Sequence, residues 1–441
     1  MKSYSLTKGS IGKSLLFFLL PVLASALIQQ LYSIIDLVFV GKFCGKEATA
    51  AIGASGLIIT CLIGFFNGMA VGTNVIVSHI YGEEDKDKLK KVIHTVFIAG
   101  TVGGCVLTII GILLTPTFLI WMNTPKSIMY LAVRYLRIYM LSMISIVLYN
   151  LCAGILRAIG DSKSPMIFQI IGGVINIFAD LILIVYFRMG VEGAAIATFL
   201  SQTIALILNV LYIYKYNPKI NISYNFKYFD KNLFNKILII GIPSGIQSIV
   251  ITLSNIIIQS QINDFGVDTI AAFTVYFKIE MIIYLPIIAL GQSLVSFVGQ
   301  NYGAKKYDRI DKGIKFSIFY GVIVTILISI AIMLSSDFFV GIFTSNKDVI
   351  YLGSQIIKTS FPFYFLYTIL ECLSSLIRGK GKSIPPMIII LTSFCGVRIL
   401  LLIYMLSKWN NVRSIVITYP ISWFVAVILT ICYVKKYSVK K

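Results

Sequence analysis

Two aspartates set deep in apolar sequence are the residues of this chain best placed to do chemistry. Asp36 closes a polar stripe of Ser25, Gln29, Tyr32 and Asp36, whose spacings of three and four put all four side chains on one helix face. Gln169, Gly173, Asn176 and Asp180 repeat the device, and Thr198 and Gln202 follow in the next apolar run. An ionised Asp near the centre of a membrane helix costs about 2.5–3.5 kcal/mol on insertion scales. Two such acids are expected to face a protein interior, with at least one neutralised by a proton or a bound cation. The oxygens of Asp36, Asn176, Asp180 and Thr198 also suit a hard cation such as Na+. The competing reading is a hydrogen-bond network that only joins helices. The cost of burying two acids favours binding.

The elements that must position these residues are membrane helices. The chain has 441 residues, 58% of them hydrophobic and 13% charged, too apolar for a soluble domain of this length. The apolar runs predict twelve spans, near 13–40, 50–80, 92–120, 128–153, 165–187, 190–214, 236–264, 269–300, 314–343, 348–377, 383–407 and 412–434. At 1.5 Å per residue, Asp36, Asp180 and Thr198 lie roughly 6–12 Å from the same end of their helices. They therefore share a level. The fold expected is all-α integral membrane, with twelve transmembrane helices in two pseudo-symmetric six-helix lobes: 1–214, a polar linker at 215–235, and 236–441.

The two halves repeat at an offset of about 221 positions. Pro21 matches Pro243, Gly45 matches Gly266, Ala50-Ala51 matches Ala271-Ala272, and Tyr81-Gly82 matches Tyr302-Gly303. Leu156-Arg157-Ala158-Ile159-Gly160 likewise matches Ile377-Arg378-Gly379-Lys380-Gly381. The deep acids break the symmetry, since Asp36 falls opposite Ile258 and Asp180 opposite Leu401. Repeated bundles suit a rocking motion about a central site.

The net charge of +20 does not point to nucleic acid, because the basic residues crowd the short loops between spans. Their bias puts both termini in the cytoplasm and the protein in the cytoplasmic (inner) membrane, multi-pass. Gly82–Lys91 and Gly303–Lys312 are expected as short interfacial helices. Seven scattered cysteines without a CxxC, and only His79 and His94 for histidine, give no disulfide framework and no metal site beyond Na+ at the four oxygen donors. Gly381-Lys382-Ser383 is a P-loop near-miss, with Leu376 where a glycine is required. No HExxH or GxSxG is present. No enzymatic activity and no cofactor are expected, so the energy would come from an ion gradient.

The chain resembles the MATE (multidrug and toxic compound extrusion) family. The resemblance rests on Pro21 in helix one, Gly160-Asp161-Ser162-x-x-Pro165-Met166 after helix four, Lys278-Ile279-Glu280 in helix eight, and Val298-Gly299-Gln300-Asn301-Tyr302-Gly303-Ala304 after it. It implies an antiporter that exports organic cations in exchange for H+ or Na+, by alternating access around a V-shaped cleft. The family's first-lobe cation site uses an Asp on helix one, an Asn and an Asp one turn apart on helix five, and a Thr on helix six. Asp36, Asn176, Asp180 and Thr198 match all four positions. An acid found in helix seven of many members is Ile251 here, and their helix-ten Asp is Tyr367.

Gln29, Tyr32, Gln202, Glu280 and Glu371 are candidate substrate-binding residues, and Pro21 is a candidate hinge. Glu280 either binds a proton or joins Arg398 in a buried ion pair with Lys278 nearby. Glu371 either holds a cation against Tyr364 and Tyr367 or pairs with a loop base. Tyr139, Tyr149, Tyr276, Tyr284, Met69, Met140 and Met281 are further candidates to line a cavity. The expected partners are the bilayer and small organic cations, with the protein acting as a monomer. The alternative function is a lipid-linked oligosaccharide flippase of the same wider superfamily, for which a cationic cleft would be expected.

Overall fold

The computed structural model describes residues 6–216 and 228–438. Positions 217–227 of the expected linker lie outside the described residues. Among the described residues twelve spans follow one another, eleven of them single runs and the fourth a bent pair: α1 (Ile11–Phe43), α2 (Gly45–Gly82), α3 (Lys86–Trp121), α4 (Lys126–Leu141 and Met143–Ala158), α5 (Lys163–Tyr186), α6 (Gly190–Lys215), α7 (Lys231–Asn263), α8 (Val267–Gly303), α9 (Tyr307–Leu334), α10 (Lys347–Gly379), α11 (Ile384–Lys408) and α12 (Val412–Lys436). The first six form one lobe and the last six the other.

The repeated glycines have a backbone cause. Gly45 and Gly266 take φ of 82° and 89°, and Gly160 and Gly381 take 91° and 84°. Each turn needs a left-handed residue, which glycine adopts without steric cost. The Asp161 carboxylate then caps α5. It accepts from Lys163 N at 3.1 Å, Ser164 N at 3.0 Å, Ser164 Oγ at 2.6 Å and Tyr212 OH at 3.0 Å. The Gly-Asp-Ser motif is thus a turn and a cap.

Three expectations need correction. The segments after Gly82 and Gly303 are not separate interfacial helices. Each is a tight turn, with Glu84 and Lys305 at φ of 60° and 57°, leading straight into α3 and α9. In the first turn the Asp85 side chain accepts from Lys88 N at 2.9 Å and so starts the long helix itself. The fourth span is bent by 42° at Ser142. There the Ser142 hydroxyl bonds back to Tyr139 O at 2.5 Å, in competition with the helical ladder. The ninth span ends at Leu334 rather than near 343, because Ser335 leaves helical geometry before a short separate helix, Ser336–Gly341. Pro21 lies within a continuous α1, where it brings no N–H to the ladder.

The lobes meet along two unlike seams. On one, Gly68 and Gly72 of α2 pack on Gly241 and Gly245 of α7, backbone on backbone. A Cβ at Gly72 would fall 2.6 Å from Ile237 O and 2.8 Å from Gly241 N, and one at Gly68 would overlap the Gly245 backbone. This is a small-xxx-small crossing on both helices, of the kind that lets membrane helices approach closely. On the other seam, α1 meets α8 through side chains, with Leu15, Phe18 and Val22 against Ala289, Leu294 and Phe297. The repeat explains the difference. The positions equivalent to the four glycines are Ala289, Ser293, Leu19 and Leu23.

The lysine-rich end is packed shut. Asn74 Nδ2 donates to Ser296 Oγ at 2.9 Å, Gln300 Nε2 to Ala158 O at 2.8 Å, and His79 Nε2 to Gly379 O at 2.7 Å, all across the lobe boundary. A strap adds to the closure. The segment before α1 is held by Arg309 of α9, whose Nε, Nη1 and Nη2 donate to the carbonyls of Leu6, Gly9 and Lys8 at 3.1, 2.7 and 2.9 Å.

Candidate functional site

A cavity of about 390 Å³ lies in the first lobe, in the half of the membrane away from the packed end. Its wall includes Gln29, Tyr32 and Asp36 of α1, Gln169 of α5, and Thr198 and Gln202 of α6. The polar face of α1 is tied to its neighbours through one hydroxyl. Tyr32 OH accepts from Gln169 Nε2 at 3.4 Å and from Gln202 Nε2 at 3.2 Å.

Asp36 fronts the cavity. Behind it, Asn176 and Asp180 are fully buried on α5, close beside the Asp36 carboxylate. Asp36 Oδ1, both carboxylate oxygens of Asp180 and both polar atoms of the Asn176 amide have no hydrogen-bond partner. Buried polar atoms in a folded protein are nearly always paired, so this cluster is a place where an occupant is owed. Two adjacent carboxylates repel each other in low dielectric unless a proton or a cation sits between them. Thr198 Oγ1 faces the same cavity while bonding Ala194 O at 3.1 Å. Directly after Asp180, α5 widens into a π-helical turn, Leu181–Tyr186. Such turns recur at functional sites because they re-aim side chains without ending the helix.

Aromatic residues complete the wall. Tyr139 and Tyr149 line it, as does Tyr135, which the sequence reading did not single out. The signal was available, since Tyr135 and Tyr139 are four apart on α4 and their ring centroids lie 5.9 Å apart. Met69 and Met140 serve packing instead, against Gly241 and Gly111.

The two glutamates of the second lobe part ways: Glu371 takes a base near the lysine-rich end, one of its two readings, and Glu280 does not take Arg398. Glu280 and Arg398 form no salt bridge among the described residues, and Lys278 is exposed. Glu280 instead accepts from Tyr364 OH, whose oxygen lies 3.3 Å from Tyr276 OH. Arg398 donates from Nε to Ser422 Oγ at 2.9 Å, with its guanidinium 4.1 Å from the Phe394 ring centroid and 4.6 Å from that of Tyr419. Stacking on two rings gives a buried cation a partner other than a carboxylate. Glu371 is bonded to Arg378 at 2.5 Å and to Ser375 Oγ at 3.2 Å, within its own helix. Neither Glu280 nor Glu371 lines the first-lobe cavity.

Comparisons with known proteins agree with this architecture. The MatE family model matches residues 21–182 and 243–404, one copy per lobe. The probable multidrug resistance protein YoeA of Bacillus subtilis (strain 168) is 26% identical over 432 residues, covering 96% of this chain and 93% of that protein. The multidrug export protein MepA of Staphylococcus aureus (strain MSSA476) is 24% identical over 379 residues, covering 86% of this chain and 84% of its own. A crystal structure of MATE in the straight conformation superposes with a TM-score of 0.91 at 22% identity, covering 99% of this chain and 98% of that one. Two matched copies of the family's repeat, on twelve helices in two lobes, place this chain in the MATE family.

Proposed function

We propose that the protein is a secondary antiporter that exports organic cations or drugs in exchange for H+ or Na+. The coupling ion exchanges at Asp36, Asn176, Asp180 and Thr198. The observation that carries this reading is the unpartnered Asp36–Asn176–Asp180 cluster, with Asn176 and Asp180 fully buried and Asp36 fronting a cavity, while the far end of the lobe boundary is packed shut. The multidrug roles given to YoeA and MepA support it. In the cycle proposed, a cationic substrate is held in the cavity by the carboxylates and by the π-faces of Tyr135, Tyr139 and Tyr149. When H+ or Na+ occupies the acids, the attraction is lost and the substrate leaves outward. Rocking of the lobes about their seams then carries the ion inward, with both termini cytoplasmic. Exchanging one entering H+ or Na+ for one leaving monovalent cation moves no net charge, so the ion's concentration gradient is the drive: a tenfold gradient supplies about 1.4 kcal/mol and supports roughly a tenfold substrate gradient.

The test is dye efflux from liposomes under separately imposed pH and Na+ gradients, with Asp36→Asn as the variant. Efflux should follow one gradient and fall to background in the variant. Wild-type rates from Asp36→Asn would remove the acids from the mechanism. If the wild-type protein exports no cationic dye under either gradient, the oligosaccharide flippase becomes the better reading.

A further inference from the structure

The seam between α1 and the second lobe contains a second cavity, of about 110 Å³, unrelated to the acidic one. Leu16 and Leu19 of α1, Pro286 and Leu290 of α8, and Phe316 and Tyr320 of α9 are among its walls. The wall is mostly apolar; the hydroxyls of Thr325 and Thr368 lie 2.8 Å apart and satisfy each other, while Ser317 Oγ is buried without a hydrogen-bond partner among the described residues. The cavity opens sideways towards the bilayer. Leu16, Tyr320 and Val324 on its rim are 54, 50 and 47% exposed. An apolar hollow at this depth has no water to fill it, and leaving it empty forfeits dispersion contacts along the whole wall.

The hollow has a charged threshold. Towards the lysine-rich end it is closed where Gly12 meets the Phe316 ring, with a Cβ at Gly12 falling 2.8 Å from Phe316 Cζ. Lys13 lies three residues before Leu16 on α1, and Lys312 lies four before Phe316 on α9, so both share the helix faces that line the hollow. They stand about 5–6 Å nearer the membrane surface than the first lining residues. Both belong to the described residues, and neither makes a salt bridge there. Asp308 lies a further turn out along α9. From Phe316 to Val324 the hollow follows about 12 Å of helix, the depth of an acyl chain's upper half.

We propose that this seam binds one anionic phospholipid of the leaflet at the lysine-rich end. Its acyl chain fills the hollow between α1 and α8–α9, and its phosphate rests between Lys13 and Lys312. Basic side chains at the rim of an inter-helix pocket are the usual recognition element for such headgroups. The site joins the two lobes, since α1 belongs to one and the other walls to the second. The bound lipid therefore acts as a wedge on the seam that glycine packing does not hold.

Native mass spectrometry of the purified full-length protein, loaded with phosphatidylglycerol or phosphatidylcholine and stripped in mild detergent, tests the proposal without reference to transport. Wild-type protein should retain one phosphatidylglycerol in preference to phosphatidylcholine. Lys13→Gln with Lys312→Gln should cut that preference by up to about thirtyfold, from two lysines near an anionic surface. Leu16→Trp, at an exposed rim position, should abolish retention of either lipid. Lys358→Gln with Lys408→Gln, at the far end, should match wild type. Equal phosphatidylglycerol retention by the wild type and the double Lys13/Lys312 variant would overturn the proposal. So would loss of preference in that variant with full retention in Leu16→Trp, which would mean headgroup attraction with no chain in the seam.

Discussion

Replacing Gly68 by Ala puts a methyl group where the Gly245 backbone already stands. At Gly68 the atoms the methyl group would meet are Gly245 N and Cα and Ser244 C, all main chain, so no side chain there can move aside. Overpacking of this kind costs about 1–3 kcal/mol. The strain falls only on the state in which α2 and α7 are pressed together, so it shifts the closed–open balance of the lysine-rich end by about five- to 150-fold. The readout is a cysteine at Ser296, which is fully buried against Asn74 in the closed end. In a background with the seven native cysteines replaced, Ser296→Cys should react slowly with a maleimide. Adding Gly68→Ala should raise the rate at least about fivefold. Gly103→Ala on α3, where a Cβ meets nothing within 4 Å, is the matched control and should leave the rate unchanged. Equal labelling in the two variants would refute the claim that glycine contact holds the lobes together.

Asp180→Asn should abolish ion-driven dye efflux in liposomes while the protein still inserts and purifies; unchanged ion dependence would exclude Asp180 from the coupling site. Asp161→Ala removes the α5 cap and should lower stability by about 0.5–2 kcal/mol in detergent unfolding, without altering ion preference. Arg378→Ala leaves Glu371, mostly buried, with only the Ser375 hydroxyl as partner, and should cost up to about 3 kcal/mol; adding Glu371→Gln should recover part of the loss, and an additive double variant would mean the pair is not coupled. Arg309→Ala frees the strap before α1 and should speed proteolysis there; protection equal to wild type would show that its three hydrogen bonds do not hold the segment.

Much of the fold was legible because the bilayer constrains sequence so strongly. Apolar runs of spanning length gave twelve helices, and paired glycines marked turns that proved to need positive φ. The stripe from Ser25 to Asp36 and that from Gln169 to Asp180 were legible by helical spacing alone, and the structure brings Asp36, Asn176 and Asp180 side by side. What spacing does not encode is which partner a side chain takes in three dimensions. Arg398 chose two aromatic rings and a serine over Glu280, whereas for Glu371 spacing left two readings open and the structure shows the pair with the base near the inner end. The break at Ser142 was hidden for a related reason, since a single serine does not announce whether its hydroxyl will bond back to the chain. The glycines at 68, 72, 241 and 245 went unremarked in the sequence, because only their meeting in space gives a small-xxx-small spacing meaning.

Gene duplication hands a protein two copies of every edge, and here only one edge has been trimmed to bare backbone. Along Gly68, Gly72, Gly241 and Gly245 the two lobes meet main chain on main chain, with no slack for a methyl group, whereas α1 and α8 meet through larger side chains. The molecule's outward likeness to a symmetric pair therefore conceals a front and a back: the equivalent positions Ala289, Ser293, Leu19 and Leu23 carry bulk where the other edge carries none.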